Sequence, residues 1–205
     1  MIRTFLAVEL SDALRVHLST LQQELKQRLT RELSRDVRIS WVQPTSIHLT
    51  IKFLGDIDEQ LVAPMQDAMS EVVRGHCAIH VPLERLGVFP RLQQPRVLWV
   101  GPSEQWERGD DAKRLVSLHR AIDDCCGTLN LAMDERSWSP HLTLARVKEG
   151  GRSMGRLLAQ SGVMDRPLAM GSLPVDAIVL IKSELKPTGS LYTTLWSSRL
   201  GPGGL

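Results

Sequence analysis

The sequence predicts an α+β protein of two pseudo-symmetric lobes, each an antiparallel-rich sheet with helices, around a central cleft. Three observations lead there. The pentapeptide Ser46-Ile47-His48-Leu49-Thr50 returns as Ser139-Pro140-His141-Leu142-Thr143, with the histidines 93 positions apart in a chain of 205 residues. Each half reads strand-helix-strand-helix-strand by its hydrophobic periodicity, with one further strand at the end. Composition is that of an ordinary globular protein, 42% hydrophobic and 23% charged, and the length suits one domain or two intimately joined lobes.

Taken in order, Thr4 to Leu10 is a buried strand stopped by Ser11-Asp12, which suits a helix N-cap. Leu14, Leu18, Leu21, Leu25 and Leu29 then recur at helical spacing through about Leu33. Val37 to Val42 is a short strand, broken by Pro44 before the first His-x-Thr strand, which Gly55 is expected to end. Asp56 to Glu59 supply the acidic start of a helix reaching about Arg74. Cys77 to Leu86 alternates as a strand, with Gly87 and Pro90 at its exit.

The second half begins with a strand at Arg96 to Val100, followed by a helix from about Asp110 to Leu129 carrying Leu115, Leu118 and Ile122. The second His-x-Thr strand follows and ends at Gly150-Gly151; Met154 to Gln160 is a short helix. Val175 to Leu185 and Ser190 to Leu200 form strands joined by the turn Lys186-Pro187-Thr188-Gly189. The expected organisation is a single domain over residues 1–200, its lobes approximately 1–92 and 96–200, with 201–205 a disordered tail.

On a strand, alternate side chains share a face. Strict alternation sets His48, Thr50 and Lys52 on one face and Leu49, Ile51 and Phe53 on the other, and it sets His141 with Thr143. It also places Arg146 opposite His141 unless a bulge or strand end turns it back. Histidine exchanges protons near neutral pH, and a threonine two residues on lies about 6.7 Å along the same face, within reach of the same anion. Two such strands brought together surround one tetrahedral anion with two imidazoles and two hydroxyls. In-line phosphoryl transfer needs that set: a neutral imidazole to deprotonate the attacking oxygen and an imidazolium to protonate the leaving one, with hydroxyls on the nonbridging oxygens.

A lone His-x-Thr is more simply a buried histidine satisfied by a hydroxyl. The extended repeat at half-chain spacing argues against that. Net charge is only +2, too mild for a nonspecific nucleic-acid coat but compatible with a basic cleft. The three cysteines form no Cys-x-x-Cys and point to a reducing compartment. No signal peptide or membrane-length apolar run occurs, so the expected location is cytoplasmic with no membrane association. No acidic cluster or glycine-rich loop appears, and His76 and His80 lie in strand-like sequence, so no metal and no cofactor are expected. Trp41 and Trp138 precede the two motifs and are read as core packing rather than base stacking. His119 is assigned to a solvated or core-edge position on its helix.

Beyond the motifs, the leader Arg-Thr-Phe-Leu-Ala-Val-Glu-Leu, the runs Leu-Gly-Val-Phe-Pro-Arg and Arg-Val-Leu-Trp-Val-Gly, and Ser-Glu-Leu-Lys-Pro-Thr-Gly-Ser-Leu-Tyr follow in order. From about Arg3 to Leu200 the chain resembles the bacterial and archaeal RNA 2′,3′-cyclic phosphodiesterases, also called 2′-5′ RNA ligases, of the two-histidine (2H) phosphoesterase superfamily. The resemblance implies a two-lobed 2H phosphoesterase-like fold and metal-independent hydrolysis of an RNA or nucleoside 2′,3′-cyclic phosphate to the 2′-phosphate. It implies His48 as proton donor, His141 as proton acceptor, and Thr50, Thr143 and Arg146 as phosphate-binding residues. Lys52 matches a lysine that many relatives carry.

The expected partners are RNA ends or small 2′,3′-cyclic nucleotides, tRNA fragments among them, acted on by a monomer. Reversible 2′-5′ RNA ligation is a second enzymatic reading, and a non-catalytic nucleotide or RNA-end binding module is the alternative from another class. The intact pair His48 and His141 favours an enzyme, since a pure binder has no need of both.

Overall fold

The protein is described from a computed structural model covering residues 1–134, 138–186 and 189–202. Its strands are β1 (Ile2–Val8), β2 (Arg38–Trp41), β3 (Leu49–Ile57), β4 (Ile79–Pro82), β5 (Arg85–Phe89), β6 (Val97–Gly101), β7 (Leu142–Glu149), β8 (Ser172–Val175), β9 (Ala177–Lys186) and β10 (Gly189–Arg199). Its helices are α1 (Asp12–Thr30), α2 (Val62–Arg74), α3 (Glu104–Glu107), α4 (Asp110–Thr128) and α5 (Gly151–Gln160).

The long helices follow from their apolar stripes. All five leucines of α1 are buried, and Ser11 Oγ caps the helix by accepting from the Leu14 N–H at 3.3 Å. In α4, Leu115, Leu118, Ile122 and Cys126 line the buried face. Gly150 ends β7 at φ +71°, and a Cβ there would stand 2.6 Å from the Asp36 carbonyl, so glycine is required.

The sheet has the order β10-β9-β1-β3-β7-β6-β5, with β2 also paired to β7, and its recorded pairings are antiparallel. β4 and β8 form a separate ribbon. β3 and β7 meet in one pair, Leu49 with Leu142, and from there run in opposite directions, β3 along β1 and β7 along β2 and β6. The expected division of lobes at residues 92–96 does not match this pairing. β2 of the first half lies on β7, while β9 and β10 of the second half lie on β1, so each sheet half mixes strands from both ends of the chain.

Three local readings are also corrected. The strand expected over 77–86 is two strands in different sheets, because β4 pairs with β8 and β5 with β6. Gly55 does not end β3; at φ +72° it sits beside a register shift, and the strand continues to Ile57. Of the expected disordered tail, Gly201 donates its N–H to the His76 carbonyl at 2.8 Å and pairs with Cys77, while residues 203–205 lie outside the described residues. Pro187 and Thr188 of the expected hairpin turn also lie outside them. Among the described residues no helix is long and apolar enough to cross a membrane.

Candidate active site

The two motifs meet where the sheet halves join. Each histidine immediately precedes a residue of the Leu49–Leu142 pair. In antiparallel register that pair sets His48 across from Thr143 and His141 across from Thr50. The cleft at this junction encloses about 560 Å³ and is lined by His48, Thr50, Thr143, Arg146, Lys148 and Phe5 among others. His141 stands beside that wall rather than in it, edge-on to Phe89 at 4.9 Å and 6.2 Å from Trp99.

Both imidazoles are held in the same way. His48 Nδ1 lies 2.9 Å from the Ser46 carbonyl, and His141 Nδ1 lies 2.9 Å from the Ser139 carbonyl. A carbonyl only accepts, so each Nδ1 carries its proton and donates, leaving Nε2 as the nitrogen available for proton exchange. The residue two positions before each histidine therefore serves through its backbone carbonyl. His48 also stacks on Phe5 at 4.6 Å and meets Tyr192 edge-on at 5.4 Å.

Burial pushes the His48 imidazole down to about 4, opposed by the Ser46 carbonyl and reinforced by the charges of Arg146 and His141. Burial also lowers His141, again opposed by a carbonyl and reinforced by Arg146. Both shifts favour the neutral imidazole. The influence of Arg146 on both histidines agrees with its place in the cleft wall.

That position follows from a bulge. β7 pairs Thr143 with Trp99 and Ala145 with Leu98, leaving Leu144 as an extra residue, and the inserted residue turns Arg146 back to the side of Thr143. The bulge is anchored from behind: the Leu144 carbonyl accepts from the Val42 N–H at 2.9 Å and from the Nε2 of buried Gln22 at 2.9 Å.

A matching bulge in β3 overturns the strict alternation expected for Lys52 and Phe53. β1 pairs Ala7 with Thr50 and Leu6 with Lys52, so Ile51 is the extra residue. Phe53 consequently faces the cleft and is 64% exposed, whereas Lys52 turns inward and is 1% exposed. Its ammonium meets Asp123 at 2.5 Å and Asp134 at 3.4 Å, so Lys52 is not a cleft charge.

The family pattern described as LigT like Phosphoesterase matches residues 8–99. A protein of Methanothermobacter thermautotrophicus named RNA 2′,3′-cyclic phosphodiesterase is 32% identical over 199 residues, covering 97% of this chain and 99% of the relative. The chain belongs to the LigT-like phosphoesterase family. An Aquifex aeolicus protein of the same name is 29% identical over 184 residues, covering 87% and 90%. The crystal structure of TT0787 from Thermus thermophilus superposes with a TM-score of 0.74 at 24% identity, covering 99% and 100% of the two chains, and shares the fold.

Within this LigT-like fold, the aromatic residues around the histidines escaped the reading of the motifs because they come from strands remote in sequence. Phe5 is on β1, Phe89 on β5, Trp99 on β6 and Tyr192 on β10. Their signal lay in the runs that carry the family resemblance, each of which contains one of them. Gly87 faces Trp99, where a Cβ would fall 2.0 Å from the indole, so this glycine makes room for the ring beside His141. Trp41 and Trp138 are both outside the cleft lining. Lys26 covers Trp41 at 5.2 Å, and Trp138 stacks on His119 at 4.7 Å. His119 itself is 7% exposed at the core edge. Among the described residues no three His, Cys, Asp or Glu side chains converge as metal ligands.

Proposed function

We propose that the chain hydrolyses 2′,3′-cyclic phosphates at RNA ends or on small nucleotides, giving the 2′-phosphate. The observation that carries this reading is the paired presentation of His48 and His141, each with Nδ1 committed to a backbone carbonyl, at a cleft that also holds Thr50 and Thr143. The names of the relatives in Methanothermobacter and Aquifex support the substrate class.

In the proposed reaction His141 Nε2 takes a proton from water as its oxygen attacks phosphorus. The P–O3′ bond breaks, and His48 Nε2–H protonates the departing 3′ oxygen. Thr50, Thr143 and Arg146 hold the nonbridging oxygens, where negative charge resides. The donor assignment follows the family resemblance. Burial makes His48 a weak base, so its donor role depends on the phosphate anion of the substrate restoring its proton.

This has a measurable sign. The kcat/KM profile reports the free enzyme and the kcat profile the substrate complex. Because both free histidines are lowered, kcat/KM should peak on the acid side of about 6.5, the ordinary histidine value. The kcat maximum should lie at higher pH, since the bound anion raises both rings. A kcat/KM maximum above pH 7 would show that burial does not govern their titration.

Substrate class is tested with a panel of 2′,3′-cyclic, 3′,5′-cyclic and linear phosphodiesters, of which only the first should turn over rapidly. Thr50→Val and Thr143→Val keep shape and remove one hydroxyl each. Each should weaken binding of a 2′-nucleotide product by about 1.5 to 3 kcal/mol, the range for a hydrogen bond to a charged group. Unchanged affinity by calorimetry would assign the threonines to the scaffold instead.

A further inference from the structure

Behind the first motif lies a polar chain, buried at Lys52, Asp123 and His119 and reaching the surface at Asp134, that the proposed chemistry does not use. Thr50 and Lys52 are two residues apart on β3, on either side of the bulged Ile51. Lys52 Nζ contacts the carboxylates of Asp123, on α4, and Asp134, four residues before Trp138 in the sequence. The Asp134 N–H donates to the Asp123 carboxylate at 3.1 Å, tying Asp134 to the helix. Asp134 Oδ2 lies 3.5 Å from His119 Nε2, and the His119 ring lies nearly parallel to Trp138, at 15°. Trp138 closes the circuit: its Nε1–H donates to the backbone carbonyl of Thr50 at 3.0 Å.

The circuit joins the two halves of the site. Trp138 stands three residues before His141, while Thr50 belongs to the opposite motif. Strand pairing between β3 and β7 consists of Leu49 with Leu142 alone, a single point of direct pairing between the two motif strands. The indole hydrogen bond supplies a second point of attachment, on the side where Thr50 faces His141. Packing alone would be served by any large apolar side chain. A lysine 1% exposed beside two carboxylates is a costly way to fill a core, since an apolar side chain of similar volume would avoid the desolvation of the charge.

We propose that Trp138 is a positioning residue that sets Thr50 against His141, with the Lys52–Asp123–Asp134–His119 cluster holding its indole in place. This rests on the cyclic phosphodiesterase reading. The hydroxyl of Thr50 then meets the nonbridging oxygen in the orientation that hydrolysis requires, and small displacements there are expensive in rate.

The test is a double-mutant cycle on kcat/KM with a 2′,3′-cyclic nucleotide, accompanied by thermal melting. Trp138→Phe keeps an aromatic face for His119 and removes the N–H. It should lower kcat/KM about tenfold in the parent, and less than about twofold in a Thr50→Val background where the positioned hydroxyl is already gone. A residue that merely stabilises the fold would cost the same factor in both backgrounds. Equal losses, or a parent loss under about twofold, overturn the proposal. If Trp138→Phe yields no folded protein, Asp134→Asn runs the same cycle, with a non-additive loss supporting the proposal and an additive one overturning it. A wild type inert toward every 2′,3′-cyclic substrate removes the reading beneath it and this proposal with it, a result separate from either outcome of the cycle.

Discussion

His48→Ala and His141→Ala are each expected to lower kcat by about 10² to 10⁴, the range for loss of one general acid or base. The two rings have equivalent supports, each Nδ1 on a carbonyl two residues back, so neither is a spare. They act on the same displacement, one at the attacking oxygen and one at the leaving oxygen. Removal of both should therefore cost far less than the product of the single losses. Circular dichroism should show the fold intact in each variant, because the rings lie at the cleft rather than in the main core. Near wild-type turnover by either single variant would refute acid–base catalysis by this pair.

Lys52→Met is expected to have the largest effect on stability. The methionine matches the length and shape of the buried stem, so the change isolates the charge. Without the ammonium, Asp123 loses the partner at 2.5 Å that, with the Asp134 N–H, holds its carboxyl below the usual range against the opposing effect of burial. Breaking a buried ion pair from one side costs about 3 to 5 kcal/mol. A domain has about 5 to 15 kcal/mol in all, so the urea midpoint should fall substantially at pH 7. Asp123→Asn in the Lys52→Met background should recover part of the loss by removing the stranded charge. A Lys52→Met loss under about 1 kcal/mol would mean that water reaches the cluster and solvates it.

The sequence presents Thr50 and Lys52 alike, since they stand at matching parity after His48. The difference between them is not written locally. The extra residue at Ile51 arises from how β3 pairs with β1, and the extra residue at Leu144 from how β7 pairs with β6. Each bulge inverts the alternation downstream, taking Lys52 into the core in one half of the sheet and bringing Arg146 to the cleft in the other. What was legible depended on short-range periodicity. The leucine stripe of α1, the apolar face of α4 and the duplicated His-x-Thr strands are all set by neighbours within a few residues.

Long-range pairing was the hidden part. The first and second halves of the sequence read as lobes, yet β9 and β10 return to β1 and β2 crosses to β7. The aromatic clamp on His48 comes from β1 and β10, whose members Phe5 and Tyr192 approach only when both ends of the chain join one sheet. Trp138 illustrates the same limit. Its ring packs against the core, but its hydrogen bond to the Thr50 carbonyl spans 88 positions.

The measurement that most directly tests the two-histidine account follows adenosine 2′,3′-cyclic phosphate by phosphorus NMR, with and without chelator, in the wild type and in His48→Ala and His141→Ala. The account predicts that the wild type converts the cyclic resonance to that of the 2′-monophosphate alone, at a rate unchanged by chelator, and that both variants leave the cyclic resonance standing over the same interval. Conversion that stops with chelator and resumes with a divalent ion, or that proceeds equally in the histidine variants, would contradict it.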